Sequence, residues 1–173
     1  MSARIREMRD GDLPLLHHIE HAAARLFATV PDPAIAAIAE HPPLALEAFI
    51  PLLWSGPVFV ACDAGDRPIG FAAALDLVDC LYLRELSVHP DHQGVGVGSA
   101  LLDEFLCRAR RDGAARCALS TFRSVPFNAP FYRRRGFVEL SLDQAPLCLR
   151  DRFFDETPPG LDPAHRILMV RRP

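Results

Sequence analysis

Apolar positions recur along the chain with two different periods, and each period predicts one type of element. In the first periodic segment they recur every three or four residues, at Leu13, Leu16, Ile19, Ala23 and Leu26. This spacing puts them on one face of a helix. We therefore predict a helix that begins at Asp10 or Asp12, each of which has a side chain suited to N-capping, and continues to about Phe27.

The rest of the pattern predicts short strands and helices. They are a strand at 4–9, helical segments at 34–40 and 44–54, strands at 58–62, 68–75 and 81–88, a helix at 96–112, a strand at 117–121, a short helix at 128–135, and strands at 137–140 and 166–170. Residues 141–163 are predicted to be a long connection that contains prolines. Early strands follow one another as hairpins and later ones alternate with helices, which predicts an α/β fold with a mixed sheet in one domain, 1–173.

The strand at 81–88 has an irregular pattern. Leu81 and Leu83 alternate on one face, whereas Leu86 and Val88 resume the alternation three residues later rather than two. A side-chain period of two changes phase only at a bulge, which turns backbone N–H and C=O groups away from the neighbouring strand. One interpretation is a bulged, splayed strand that pairs with an amide-bearing ligand. The other is a regular strand with a solvent-facing glutamate.

A glycine-rich loop, Gln93-Gly-Val-Gly-Val-Gly-Ser, separates this strand from the next helix. A helix N-terminus offers free N–H groups and the positive end of the helix dipole, and the glycines let a phosphate approach the backbone. The loop departs from the G-x-G-x-x-G spacing of dinucleotide sites, because its sixth position is Ser99 or Leu101. The chain has no lysine, which excludes a P-loop and a kinase-type loop. The pattern that fits is Gln-x-x-Gly-x-Gly, which predicts a phosphate-bearing cofactor.

Composition narrows the possible partners. The formal net charge of -3 gives no basic surface for nucleic acid. No apolar run reaches membrane-spanning length and the arginine-bearing start is unlike a signal peptide, so we expect a cytoplasmic protein that binds no membrane. Five scattered cysteines fit buried thiols in a reducing compartment. All 19 basic residues are arginine, a bias that we attribute to a GC-rich, bacterial genome.

Two blocks of the sequence occur in a specific order, ELSVHPDHQGVGVGSALL and, later, NAPFYRRRGF at 128–137. Together they resemble the GNAT superfamily of acetyl-CoA-dependent N-acetyltransferases. The first is similar to the family's central strand, pyrophosphate loop and following helix, and the second to its N-x-x-x-Y-x-x-x-G-F block. The resemblance implies the GNAT fold, with a mixed, mostly antiparallel central sheet, a splayed and bulged central strand, and helices on both faces.

The resemblance also implies the cofactor contacts. Two backbone segments carry most of them: Leu86, Ser87 and Val88 for the pantetheine arm of coenzyme A, and Gln93, Gly94, Val95, Gly96, Val97, Gly98 and Ser99 for its pyrophosphate. One amide of the first segment would polarise the acetyl carbonyl. Asn128 would contact the arm from the other side, and Tyr132 would lie near the thioester sulfur.

Attack of an amine on a thioester needs a base, donors for the oxyanion and an acid for the departing thiolate. Glu85 is the candidate base, because an alkyl ammonium with a pKa of ~10 must lose a proton at neutral pH. Anchoring the amine and facing solvent are the alternatives for this residue. Strand N–H groups are the candidate oxyanion donors for the tetrahedral intermediate. Tyr132 is the candidate acid, unless its ring only packs under the sheet.

Other polar residues have weaker assignments. Arg123 and the run Arg133–Arg135 are candidates for contact with an anionic group, although charge runs are usually solvated. His17 and His21 have zinc-compatible i, i+4 spacing, but no third ligand accompanies them, so we expect no metal.

The predicted function is therefore that of an acyltransferase. Acetyl-CoA would be the co-substrate, and the acceptor would be a primary amine of a small molecule or a peptide N-terminus. One alternative is a non-catalytic module of the same fold that senses acetyl-CoA, and another is nucleotide or NAD binding. A homodimer is compatible with the resemblance, and the segments at 10–54 and 141–163 would set the acceptor.

Overall fold

The computed structural model describes residues 3–173, which form two compact units. The first unit comprises the chain up to Asp76 together with Leu83–Arg108, and the second comprises Leu77–Tyr82 together with Ala109–Pro173. The boundaries between the units therefore follow Asp76, Tyr82 and Arg108. A single domain over 1–173 stays a prediction.

The described chain contains strands and helices in nearly the predicted order. The strands are β1 (Arg4–Glu7), β2 (Val58–Cys62), β3 (Pro68–Leu77), β4 (Cys80–Val88), β5 (Arg116–Phe122), β6 (Val138–Glu139) and β7 (Arg166–Arg171). The α-helices are α1 (Leu13–Ala24), α2 (Pro33–Ala36), α3 (Leu46–Leu53), α4 (Val97–Arg111), α5 (Ala129–Arg134) and α6 (Leu147–Asp155). The exception is α6, which lies in the connection that we predicted to be without a helix.

The strands are mostly paired in the antiparallel direction. The strand order is β1-β2-β3-β4 for the first four strands and β5-β7-β6 for the last three. The pairs β1–β2, β2–β3, β5–β7 and β6–β7 are all antiparallel. The predicted mixed α/β fold class with a mostly antiparallel sheet is therefore confirmed. In the pairing of β2 with β3, the register shifts between Ala61 and Cys62.

Helices cover both faces of the sheet in the first unit. The core on one face joins α1 and α3 to β2 and β3 through Leu16, Ile19, Phe49, Leu53, Val58, Val60, Cys62, Phe71 and Ala73. The helix α4 lies on the other face, because a Cβ added at Gly70 would stand 3.3 Å from Leu101 Cδ1. Gly70 and Phe71 are successive strand residues and point to opposite faces.

The second unit is built on β5 and β7, and α6 contacts both strands. The buried residues of α6 are Leu149 and Phe153. Just beyond this helix, the hydroxyl of Tyr82 donates a hydrogen bond of 2.6 Å to Glu156 Oε2, which also lies 3.8 Å from the guanidinium of Arg166. Burial and the neighbouring carboxylate raise the pKa of Tyr82, so its hydroxyl stays a donor at neutral pH.

The buried carboxylate of Asp12 links the end of β1 to the start of α1. Its oxygens accept hydrogen bonds of 2.6 and 2.9 Å from the guanidinium of Arg6, and the Arg9 amide donates one of 2.8 Å. Asp12 is the N-cap residue of α1, one of the two predicted alternatives, but its side chain makes no capping bond to that helix. The arginine offers two charge-assisted bonds and takes the carboxylate instead. These bonds hold the pKa of Asp12 below its usual value.

The substitution Asp12→Asn is expected to make the free energy of unfolding less dependent on pH in the acid range. A carboxyl whose pKa is lower in the folded than in the unfolded chain stabilises the fold above the unfolded pKa of about 4 and loses this effect as the pH falls through the folded pKa. Near pH 7 we expect the variant to lose about 2 kcal/mol of its free energy of unfolding. This loss is smaller than that for a fully broken buried ion pair, because Arg6 keeps its contact with Asp66 at 3.2 Å. Urea unfolding between pH 3 and 7 measures both effects. Substitution of the exposed Asp10 by Asn is the control. If the free energy of unfolding depends on pH equally in the wild type and in Asp12→Asn, this account is contradicted.

Two further findings concern the described residues. In 3–173, every helix falls short of the length and apolarity that a bilayer crossing requires. Cys62, Cys80 and Cys117 are buried free thiols, whereas Cys107 and Cys148 are exposed, so the expectation of buried thiols is correct for the first three. Burial raises the pKa of Cys80 to about 12 and that of Cys117 to about 11, which keeps both thiols protonated at neutral pH.

Candidate active site

Glu85, the candidate base, lies in β4 and is half-buried. The hydroxyl of Ser87 donates a hydrogen bond of 2.7 Å to Glu85 Oε1, and Ser87 itself is 4% exposed. Residues two apart on a strand share a face, so the buried serine orients the carboxylate along that face. This contact holds the glutamate side chain against the strand.

Burial on both faces explains the irregular alternation of apolar residues in the first half of β4. Cys80–Leu83 are all buried, so apolar residues occupy both faces and the leucines do not mark one face. The bond between Glu85 and Ser87 has the i, i+2 geometry of a regular strand. A bulge in β4 stays a prediction. The segment Leu86–Val88, the candidate partner of the pantetheine arm, forms the end of this strand.

The side chain of Gln93 fastens the glycine loop to the end of β4. Its Nε2 donates a hydrogen bond of 2.9 Å to the carbonyl of Val88. A short 3-10 turn at Pro90–His92 lies between these residues, and the His89 amide donates a 2.9 Å bond to the carbonyl of Ile69. The start of the loop is therefore anchored to two strands of the first unit.

The loop leaves open space in front of its backbone. Gly94 and Gly96 have φ values of +75° and +92°, a conformation that favours glycine. A Cβ at either position would meet no heavy atom within 4 Å. The helix α4 begins at Val97, and its first turn contains no acidic residue. Free N–H groups at a helix start and the positive dipole end form an anion-binding arrangement.

In the second unit, Asn128 directly precedes α5. Its backbone carbonyl accepts a bond of 3.1 Å from the Tyr132 amide, but its side chain makes no capping bond. Its Oδ1 is buried and has no hydrogen-bond partner among residues 3–173. Leaving a buried amide oxygen without a donor costs about 1–3 kcal/mol. A ligand with an amide N–H group would supply the missing donor.

Tyr132 is buried, with 7% of its surface exposed. Its ring makes edge contacts with the rings of Phe131 and Phe137, at centroid distances of 5.1 and 5.8 Å. The packing alternative raised for the ring is therefore realised. This packing is compatible with a chemical role for the hydroxyl, and the role as an acid stays a prediction.

The other polar candidates have structural contacts. Arg123 donates bonds of 3.0 and 2.9 Å to the two carboxylate oxygens of Glu139. The ring of His17 lies 5.2 Å from that of Phe49, and its Nε2 is 2.6 Å from the carbonyl of Leu44. Within the described range 3–173, no three His, Cys, Asp or Glu side chains come together as a metal-binding group.

The structure brings the predicted site residues together in two local groups. In the first unit, Glu85, Leu86–Val88 and Gln93–Ser99 belong to one continuous strand–loop–helix segment. In the second unit, Asn128 and Tyr132 are one helical turn apart. Sequence reasoning missed the side-chain bonds of Ser87 and Gln93, although a Glu-x-Ser pair on a strand is a detectable signal for the first.

Comparisons with known proteins agree on a family. The profile of the Acetyltransferase (GNAT) domain family matches residues 54–139. A curated relative, an uncharacterized N-acetyltransferase of Methanocaldococcus jannaschii, is 27% identical over 88 residues. This match covers 47% of the present chain and 39% of the length of that relative.

Solved structures share the fold. A ribosomal-protein-alanine N-acetyltransferase from Brucella melitensis has a TM-score of 0.69 and 20% identity, with 98% of this chain and 99% of that one covered. An N-acetyltransferase named PaiA from Thermoplasma acidophilum, in complex with coenzyme A, has a TM-score of 0.68 and 20% identity, and both chains are fully covered at 100%. Similarity at this level of identity concerns the fold alone.

Proposed function

The chain belongs to the GNAT family of acetyltransferases, and on that premise we propose that it transfers the acetyl group of acetyl-CoA to a primary amine of a small molecule or a peptide N-terminus. The observation that carries the proposal is the strand–loop–helix segment, in which Gln93 fixes a loop with two left-handed glycines to the end of β4. The free N–H groups at the start of α4 and the positive end of its dipole would bind a pyrophosphate.

Each unit carries residues that we propose as contacts of coenzyme A. In the first, the N–H groups after Gly96 would bind the pyrophosphate, and the backbone of Leu86–Val88 would pair with the pantetheine arm. In the second, the buried Oδ1 of Asn128 would accept a hydrogen bond from an amide of the arm. When bound, the cofactor supplies an activated acetyl group as a thioester.

The proposed chemistry divides three tasks among the chain's groups. Glu85, oriented by Ser87, takes a proton from the acceptor ammonium, directly or through a water molecule. A backbone N–H of Leu86–Val88 donates to the acetyl oxygen as negative charge develops there. The amine nitrogen would bond to the acetyl carbon as the carbon–sulfur bond breaks, and Tyr132 would give its proton to the departing thiolate. The second proton that the nitrogen loses on becoming an amide would return the tyrosinate to its neutral form.

A thiol-release assay with acetyl-CoA over a panel of amines tests the proposed activity. The panel contains small primary amines, peptides with free N-termini and the same peptides with blocked N-termini as controls. We expect release of coenzyme A that depends on at least one free amine, with the acetylated product identified by mass spectrometry. Tight acetyl-CoA binding without turnover of any amine would favour the sensing module instead.

The substitution Glu85→Gln separates a base from an amine anchor. If Glu85 is the base, kcat is expected to fall by about 100-fold, and the acid limb of the pH–rate profile should disappear. An anchor would instead raise KM for the amine with a smaller change in kcat. Glu104→Gln on α4 is the matched control. Unchanged kcat and KM for Glu85→Gln would exclude both roles.

A further inference from the structure

A cavity of about 210 Å³ lies within the first unit, outside the residues assigned to the cofactor. Its apolar wall comes from α1 and the start of β3 and includes Ile19 and Ile69. Its polar groups come from α1, from the turn between β2 and β3, and from the segment before the glycine loop: His18, Asp63, Arg67, His89, Asp91 and His92. Six of the ten lining residues are therefore polar or charged. Convergent polar groups in a concave site orient a bound small molecule.

Three imidazoles converge on this cavity. The rings of His18 and His89 stack at a centroid distance of 5.8 Å, and the ring of His92 lies 6.1 Å from that of His89. The Asp91 amide donates to His89 Nδ1 over 3.3 Å. His89 in its neutral form therefore carries its proton on Nε2, where it is a hydrogen-bond donor.

The two carboxylates at the cavity have different surroundings. Asp63 Oδ1 accepts bonds of 2.8 and 3.0 Å from the amides of Gly65 and Arg67, which close the turn between β2 and β3. The Asp91 side chain is 82% exposed, and its carboxylate lies 3.6 Å from His89 Nδ1. Asp63 is therefore held by the turn, whereas Asp91 lies at ion-pair distance from His89 on the exposed side. The remaining polar lining residues are Arg67 and the three histidines.

We propose that this cavity is a second binding site, for a small anion with a phosphate or carboxylate group, held by Arg67, His18, His89 and His92. Guanidinium and imidazole N–H groups are the donors that such anions prefer. The site does not depend on the proposed acetyl transfer. It lies beside the turn Pro90–His92, which leads into Gln93, so its occupant contacts the base of the cofactor loop without occupying it.

Calorimetric titration with inorganic phosphate and with succinate tests the proposal, on the free protein and on protein saturated with coenzyme A. We expect one phosphate or one succinate to bind per chain in both states. Arg67→Gln and His18→Gln, both at exposed positions, should each weaken binding by about tenfold. His21→Gln on the same helix and Arg111→Gln are matched controls outside the cavity and should bind as the wild type does.

Three results would overturn the proposal. The first is absence of saturable binding by both probes, and the second is full affinity in Arg67→Gln and His18→Gln. The third is displacement of the probe by coenzyme A, which would assign the anion to the cofactor site. A titration with dephospho-coenzyme A then shows whether the terminal phosphate of the cofactor causes this displacement. Failure of acetyl transfer would leave the titration of the free protein unaffected, so the two proposals fail separately.

Discussion

The substitution Gly96→Glu is expected to abolish binding of coenzyme A. The φ of +92° at this position disfavours any side chain, and a Cβ would project into the open space before the loop, where the pyrophosphate is proposed to bind. A carboxylate there adds both bulk and negative charge next to a doubly charged group. Calorimetry should show at least about a 1,000-fold loss of affinity, equivalent to about 4 kcal/mol.

The control for this variant is Gly113→Glu. Gly113 ends α4 with a φ of +73°, and a Cβ there also meets no heavy atom within 4 Å. Both substitutions therefore impose a similar backbone strain, of about 1–2 kcal/mol, but only one lies in the proposed cofactor loop. Wild-type affinity in Gly96→Glu, or an equal loss in Gly113→Glu, would refute the assignment of the loop.

The substitution Tyr132→Phe is expected to lower kcat by about 100-fold while changing the Kd of acetyl-CoA by less than about threefold. A phenylalanine preserves the edge contacts with Phe131 and Phe137 and removes only the hydroxyl. Loss of a group that acts in the transition state lowers the rate more than the affinity. Steady-state kinetics and a separate binding titration measure the two quantities.

Tyr82→Phe provides the comparison, because Tyr82 and Tyr132 are the two tyrosines of the chain. This variant removes the donor to Glu156 Oε2, so it is expected to cost about 1.5–3 kcal/mol of stability and to leave kcat near that of the wild type. An acid role for Tyr132 is ruled out if its phenylalanine variant keeps the wild-type kcat.

Local periodicity predicted most of the fold, and α6 shows where it failed. The strand β2 has the predicted bounds, Val58–Cys62, because a continuous apolar run identifies a buried strand. In α6 only Leu149 and Phe153 are buried, while Leu147 and Phe154 are 64% and 54% exposed. Apolar residues on both sides of a helix remove the amphipathic period from which it would be predicted.

In the candidate site, too, features set by neighbouring residues were predictable, whereas features set by residues far apart in the sequence were not. The loop that begins at Gln93 was predictable because strand, loop and helix start are adjacent in the sequence. Asp12 occupies the predicted N-cap position, but its side chain bonds Arg6, which lies on a different element and which local pattern does not reveal. The buried, unpartnered oxygen of Asn128 depends on packing in three dimensions and leaves no periodic signal.

The division of the chain into two units gives each its own intrinsic fluorophore. Trp54, the single tryptophan, belongs to the first unit, whereas Tyr82 and Tyr132 belong to the second. Excitation at wavelengths that only the indole absorbs reports the first unit, whereas the absorbance and emission of tyrosine are weighted towards the second. Denaturation of the unlabelled protein can thus be followed through both signals at once, and coincident transitions would mean that the units unfold cooperatively.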